Sequence, residues 1–367
     1  MGKILFIVAD LCGGGAERCL IRLCNALVAQ QYTISIVAFH NVISYLGALD
    51  SRVKLVTVLS DGKPVGIRIG NVLRAILKEA RHHDLVIGGR DGWPTVMALV
   101  GGWLSGKPVL AWSHSDLGMI RRMWNPALQF LFRWTLRQVD GLVCVSEGVK
   151  RSLDRFCGKT FLNAITIYNS IEKNANIPVQ HKTYPNGDVI NIVGCGRLEY
   201  YKGFDLLISA LALLRAEGLP VRLTLLGEGP DREAFTALIA ANSLQDVVSM
   251  PGFCPAPTTY YSQADLLVHP SRFEGFPMVL LEALQHGLPV VATDCPSGPR
   301  ELLQDGYCGE LVEVENVEAL VAGIKKVLFE PGLWEMYQQR GLRRITDFSL
   351  ENIIPQWIKF IQNYLRK

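Results

Sequence analysis

The sequence predicts two doubly wound α/β domains of similar size facing a central cleft. Three observations carry that expectation. Short apolar runs alternate with helical periodicity through the first half, and a second alternation starts near residue 189. Between them lies NSIEKNANIPVQHKTYPNGD, which is polar, rich in Asn and Pro, and without periodicity. The boundaries are an N-terminal domain at 1–168, a linker at 169–188, a C-terminal domain at 189–346 and a final helix at 347–367. A length of 367 residues is itself more than one ordinary core organises.

KILFIVAD (3–10) reads as a first buried strand; it is too short for a signal peptide, and Asp10 interrupts it. LCGGGAER turns the chain into a helix at 16–30, apolar at 20, 21, 23, 24, 27 and 28, and YTISIVAFH (32–40) returns as a strand. Further strands follow at 54–59, 84–89, 108–114 and 141–146, with helical segments at 69–83 and 94–106 between them. The second series opens with VINIVGCGRL and a helix at 204–218 closed by Gly218. VRLTLLGEGP (221–230), ADLLVHPS, LPVVATD and GELVEV are its other strands, and the tail from Ser349 is helical. Strands alternating with helices imply parallel sheets covered on both faces.

An apolar fraction of 49% with 19% charged residues excludes a disordered chain. No apolar run reaches the ~18 residues of a membrane-spanning helix. Nine cysteines without CxxC or paired spacing point to reduced, mostly buried thiols in a cytosolic protein, not to a metal or disulfide framework. The net charge of +3 is unevenly spread: residues 1–165 carry 20 Lys and Arg against 11 Asp and Glu. A basic first half suits an anionic partner, although scattered surface charge would give the same count.

The most informative stretch is PSRFEGFPMVLLEALQHGLPVVATDCPSGPR (270–300). Glu274–Pro277 reads as a loop and Met278–His286 as a helix, with Pro277 at its start and Gly287 at its end. The N–H groups of 275–279 would then be unpaired and form an anion site. Glu274 and Glu282 could be an acid–base pair, but their spacing is long for two carboxylates sharing one bond, and hydrogen bonds to sugar hydroxyls suit them better. Arg197 and Lys202 follow the first strand of the second series. A guanidinium fork and an ammonium at a strand C-terminus suit a diphosphate, though two solvated surface cations would look the same. Gly13-Gly14-Gly15 permits close approach of a ligand to backbone, or is a plain tight turn. It is not GxGxxG, and no acidic residue ends the second strand, so a dinucleotide cofactor is not expected.

His114 ends a strand at the same edge of the first domain and could serve substrate as hydrogen-bond donor or base, or be a satisfied core histidine. His82, His83 and His286 read as surface residues and His269 as structural. MIRRMWNPALQFLFRWTLRQ (119–138) mixes four arginines with Trp124, Phe130, Phe132 and Trp134. It reads either as a membrane-surface element or as a packed helix with a solvated basic face, its start set by Pro126. No nucleic-acid-reading module accompanies it.

In order along the chain, GGGAER (13–18), His114, VSEGVK (145–150), IYNSIE (167–172), GRLEYYKGFDLLI (196–208), LLGEGPDRE (225–233), EGFPMVLLEAL (274–284) and GLPVVATDCPSGPREL (287–302) resemble the retaining glycosyltransferases of family 4 nearly end to end. Glu274 and Glu282 form that family's Glu-x7-Glu motif. The resemblance implies the GT-B fold of two Rossmann-like domains, with the final helix crossing back onto the first. It implies that Arg197 and Lys202 neutralise the leaving diphosphate of a UDP-sugar and that Glu282 holds the ribose. Glu274 would contact the hexose, with Gly275, Phe276, Pro277 and Met278 cradling sugar and phosphate. Phe253 and Cys254 would meet the base, Gly14 and Gly15 the phosphates, and His114 the reacting sugar. It implies retention of configuration, no metal, and no cofactor beyond the nucleotide-sugar co-substrate. The Ser297-Gly298-Pro299 loop resembles members using UDP-galactose-type or N-acetylhexosamine donors, whereas Ser170 stands where many relatives have Gly. The acceptor expected is a lipid-linked or lipopolysaccharide-type glycan, chosen by loops around 41–50, 60–68 and 90–94. The protein would be a monomer or weak dimer, peripheral on the inner face of the cytoplasmic membrane, with no nucleic-acid partner. An inactive sugar-nucleotide-binding subunit and a GT-B sugar-nucleotide epimerase are the alternatives.

Overall fold

β1 (Lys3–Val8) buries five successive side chains, Ile4 to Val8, as a strand covered on both faces must. In the computed structural model, which describes residues 2–12, 14–41, 46–59, 68–119, 124–172 and 189–365, it is an inner strand of a seven-stranded parallel sheet. The order is β3-β2-β1-β4-β5-β6-β7, with β2 at Thr33–His40, β3 at Lys54–Leu59, β4 at Leu85–Gly88, β5 at Val109–Ser113, β6 at Gly141–Cys144 and β7 at Ala164–Thr166. The helices that position the features below are α1 (Gly15–Ala29), α2 (Ile69–Ala80), α3 (Trp93–Ser105), α4 (Pro126–Gln138) and α5 (Glu147–Cys157). Pro126 does open α4: Asn125 caps it by accepting from the Leu128 amide at 2.9 Å.

The second unit holds a six-stranded parallel sheet ordered β10-β9-β8-β11-β12-β13. Its strands are β8 (Ile190–Cys195), β9 (Val221–Leu226), β10 (Val248–Gly252), β11 (Leu266–His269), β12 (Val290–Thr293) and β13 (Glu310–Val312). Its helices are α6 (Phe204–Ala216), α7 (Arg232–Ala241), α8 (Thr258–Gln263), α9 (Met278–Gln285), α10 (Pro299–Leu302), α11 (Val317–Phe329) and α12 (Leu333–Arg344). Its core runs from Ile190 and Ile192 through Leu207, Leu211 and Leu225 to Ile324, Trp334 and Tyr337.

The chain divides by contact into Met1–Ser170 with Ser349–Lys367, and Ile171–Phe348. The last helix, α13 (Leu350–Leu365), therefore belongs to the first unit, where Trp357 meets Trp112 with ring centroids 4.8 Å apart. Residues 173–188 of the expected linker, Arg121 and Arg122, Gly13, and loop residues 42–45 and 60–67 lie outside the described residues.

Two histidines expected at the surface are buried instead. His83 hydrogen-bonds the Glu79 carbonyl at 2.7 Å and Ser35 Oγ at 2.9 Å; His286 bonds the Glu282 carbonyl at 2.7 Å. Each tucks back onto the carbonyl four residues earlier at a helix end, a contact that residue type does not announce. Burial lowers both pKa values below the ordinary imidazole value.

Candidate active site

In each sheet the strand order reverses beside the first strand, at β1/β4 in one unit and at β8/β11 in the other. Loops beyond the strand C-termini at such a switch point form the crevice where ligands of open α/β sheets bind. Each unit spans its switch point with an ion pair.

In the second unit the pair is Lys202 and Glu274. Lys202 closes a 3₁₀ turn, Tyr200–Lys202, after β8, and Glu274 lies in the loop after β11. Lys202 Nζ donates to Glu274 Oε1 at 2.6 Å, and Ser271 Oγ donates to the same oxygen at 2.8 Å. His269 Nε2 stands 2.9 Å from it, off the line of a full hydrogen bond. The Glu274 side chain is 8% exposed. Burial raises its pKa, but the charges of Lys202 and His269 outweigh that and hold the carboxyl well below the usual range.

Gly203 brings the two loops together. Its φ is +68°, and a Cβ there would lie 2.1 Å from the Pro270 carbonyl oxygen, so only glycine allows the approach. Arg272 locks them. It is 4% exposed, and both its terminal nitrogens donate to Asp205 at 2.7 Å. Its Nε donates to Glu315 at 2.5 Å, its NH1 to the Tyr200 carbonyl at 2.5 Å, and its own amide to the Tyr201 carbonyl at 2.8 Å. Nothing in the sequence pattern singled out Arg272.

Arg197 is 66% exposed along its side chain and paired with Glu199 at 2.5 Å, so the structure joins Lys202 to Glu274 but gives Arg197 a separate partner. Glu282, on α9, is buried and accepts from Tyr261 Oη at 3.1 Å. Burial, Cys195 and Glu282 push the Tyr261 hydroxyl well above its ordinary pKa, so it remains a donor. Tyr261 is a second residue that sequence reasoning missed. α9 starts at Met278 behind Pro277, and Gly298 packs on its entry: a Cβ there would lie 3.0 Å from the Gly275 carbonyl oxygen. Gly275, Phe276 and Met278 each engage a partner. Phe253 is half-exposed and Cys254 partly buried just beyond β10, beside the Gly227 amide that bonds the Gly252 carbonyl at 2.9 Å.

In the first unit the pair is Glu17 and Arg90, 2.5 Å apart across the β1/β4 switch point. Gly14 caps α1, and the Glu17 carboxylate sits against it: a Gly14 Cβ would lie 2.2 Å from Glu17 Oε2. Next to Arg90, half-buried Asp91 accepts from the amides of His114 at 2.9 Å and Ser115 at 3.0 Å. Burial raises the Asp91 pKa, and those amides oppose the rise. The His114 ring lies on Trp112, centroids 4.3 Å apart. Burial, with help from the Arg90 charge, pushes its pKa down to about 3, against a hydrogen bond to the Gly89 backbone. His114 is thus neutral at any physiological pH. Its Nε2 has no partner among the described residues, which leaves it a hydrogen-bond acceptor.

Residues 13–174 match the model of "Glycosyltransferase Family 4", and residues 178–344 that of "Glycosyl transferases group 1". The chain belongs to the family 4, group 1 glycosyltransferases. As such it is 26% identical over 97% of its length to an uncharacterized glycosyltransferase of Haemophilus influenzae, 99% of which is covered. It is 26% identical over 98% of both chains to the GalNAc-α-(1→4)-GalNAc-α-(1→3)-diNAcBac-PP-undecaprenol α-1,4-N-acetyl-D-galactosaminyltransferase of Campylobacter jejuni. Its fold matches Anabaena HepE, crystallised with UDP-glucose, at a TM-score of 0.84 and 20% identity over 99% of this chain and all of that one. The two parallel-sheet units of this glycosyltransferase are those of the GT-B class.

Proposed function

We propose that the chain is a retaining, metal-independent glycosyltransferase that moves a hexose or N-acetylhexosamine from a UDP-sugar to a lipid-linked glycan at the cytoplasmic face of a membrane. The observation that carries the reading is the Lys202–Glu274 pair across the β8/β11 switch point, locked by Arg272 and ringed by the α9 entry. An ammonium held at a loop crevice suits the diphosphate, whose charge grows as the C1–O bond breaks. Glu274 suits a sugar hydroxyl, accepting from it while still paired to Lys202. Glu282, steadied by Tyr261, suits the ribose, and Arg197, 66% exposed along its side chain and paired with Glu199, can swing to phosphate. Phe253 and Cys254 receive the base, and Gly14 and Gly15 lie against phosphate.

In the reaction the acceptor oxygen bonds C1 from the face the phosphate leaves. The C1–O bond breaks, its electron pair stays on the phosphate, and a phosphate oxygen takes the acceptor proton. No side-chain nucleophile is required; fixed charge and positioning lower the barrier. His114 acts as a neutral acceptor toward the sugar, not as an acid. The UDP-glucose complex of HepE and the PP-undecaprenol acceptor of the Campylobacter relative support the choice of donor and acceptor classes.

Lys202→Ala and Glu282→Ala should each reduce transfer by about 10²–10³-fold, as loss of one preformed charge-stabilising group does, with unchanged circular dichroism. Turnover like that of the unaltered enzyme in either variant sinks the assignment. Proton NMR of the first product bond reads retention directly, and wild-type turnover that EDTA abolishes would refute metal independence. Detectable donor hydrolysis would exclude the inactive sugar-nucleotide-binding alternative; donor binding with neither hydrolysis nor transfer would favour it.

A further inference from the structure

α3, α4 and α5 each lead into the next strand of the first sheet, so their last turns gather at the edge opposite His114 and Asp91. A cleft of about 420 Å³ opens there, between Phe130, Arg133, Trp134 and Arg137 of α4 and the end of α5 at Arg155 and Phe156. That volume is in the range of small-ligand sites, about 300–1,000 Å³. The Arg133 guanidinium lies over the Phe156 ring at 4.7 Å, and its buried Nε has no partner among the described residues. Arg137 spends one nitrogen on the Cys157 carbonyl, and Arg155 is exposed.

Around this basic cleft the surface is apolar. Trp103 is 51% exposed, Leu104 64%, Phe130 74% and Trp134 40%. Trp103 and Trp134 meet edge to face at 5.5 Å, which joins the ends of α3 and α4 into one patch. α3 has no charged residue and α4 no acidic one. Cations in a last turn complement the helix dipole, which accounts for Arg137 and Arg155 but not for four large apolar side chains left in water beside them. Asp154 near the end of α5 is outnumbered by the arginines, and interfacial aromatics with an excess of arginine are the pattern of a surface that enters the headgroup region of an anionic bilayer.

We propose that this cleft binds the phosphate of an anionic phospholipid head group, with Trp103, Leu104, Phe130 and Trp134 inserted at the headgroup–acyl boundary. Arg133, Arg137 and Arg155 supply charge-assisted donors to the phosphate oxygens. The site deepens the membrane-side reading above, but it shares no residue with the donor site, so the two can fail separately. It also replaces the basic face of the whole 119–138 segment by one defined cleft built from two helices.

The test is co-sedimentation with vesicles of phosphatidylcholine alone and of phosphatidylcholine mixed with phosphatidylglycerol. The protein should bind only the anionic vesicles, less as salt rises, with a blue shift of tryptophan emission. Arg137→Glu with Arg155→Glu should weaken binding on the order of tenfold or more, and Phe130→Ser should weaken it while removing little packing. Transfer to a detergent-free, water-soluble acceptor should be unchanged in all of them. Equal binding to neutral vesicles, or undiminished binding by the charge-reversed variant, overturns the proposal. So does saturable binding of glycerol 3-phosphate without vesicle association, which would assign the cleft to a soluble phosphate. A dimer in light scattering that Phe130→Ser dissolves would assign the patch to a second copy. Loss of vesicle binding with intact soluble transfer supports the lipid site; absent transfer in the unaltered protein bears only on the donor reading.

Discussion

Glu274 carries a negative charge almost out of water because Lys202 stands 2.6 Å away. Its folded pKa is depressed, so the pair contributes stability above the ordinary carboxylate value of about 4.3, and this is lost as pH falls through the folded value. Lys202→Met should weaken that contribution. With the ammonium gone, burial is opposed by His269 and Ser271 alone, and the folded pKa rises. At neutral pH a buried charge that loses its partner costs up to about 3–5 kcal/mol. Melting temperatures of the variant should therefore fall relative to the unaltered protein between pH 5 and 8 on the order of that cost. Parallel melting curves across that range would show that Glu274 does not depend on Lys202. That Lys202 and Glu274 stand at strand ends was legible, because a buried parallel strand is an apolar run and its end is where the run stops. That they touch was not, since residue spacing carries no record of a contact between loops 72 positions apart.

At the scale of elements, the two loops are one object because Arg272 ties them. Its partners Asp205 and Glu315 lie 67 and 43 residues away on separate elements, which is why PSRFEGF pointed to its glutamate and not to its arginine. The inner strands, by contrast, were plain as VLAWS, LLVH or VVAT, because local pattern and final burial coincide in a strand covered on both faces, whereas the partly buried edge strands β7 and β10 were not read. Arg272→Met leaves every proposed donor contact in place while freeing the 3₁₀ turn that carries Lys202. A displacement of about 1 Å can cost about 10²-fold in rate, so kcat should fall by that order with a smaller change in donor KM. Arg272→Lys should recover little, since one ammonium cannot span Asp205, Glu315 and the Tyr200 carbonyl together. If instead both variants melt earlier but turn over normally per folded molecule, Arg272 stabilises the unit and does not position its lysine.

For the whole molecule, the fold is decided by which core claims the last helix. The tail from Ser349 is readable as an amphipathic helix, but its pattern says only that one face is buried, not against what; the family resemblance supplied the destination. In the structure α13 packs on α1 within the first unit, with Ile353, Trp357, Phe360 and Ile361 buried. Tyr364 and Leu365 crowd Gly141 and Gly2 so closely that a Cβ on either glycine would lie within 2.5 Å of them. Each such side chain contributes about 1.5–3 kcal/mol by burial, so four of them are comparable with the entire stability of an ordinary domain, about 5–15 kcal/mol. Cutting the chain after Phe348 removes them all while touching nothing inside Ile171–Phe348. Calorimetry of the truncated protein should show one cooperative transition retained and the other lost, and limited proteolysis should degrade the region before Ser170 and spare the region after it. If residues before Ser170 stay protease-resistant without the helix, then α13 is an accessory strap on a core that is complete alone.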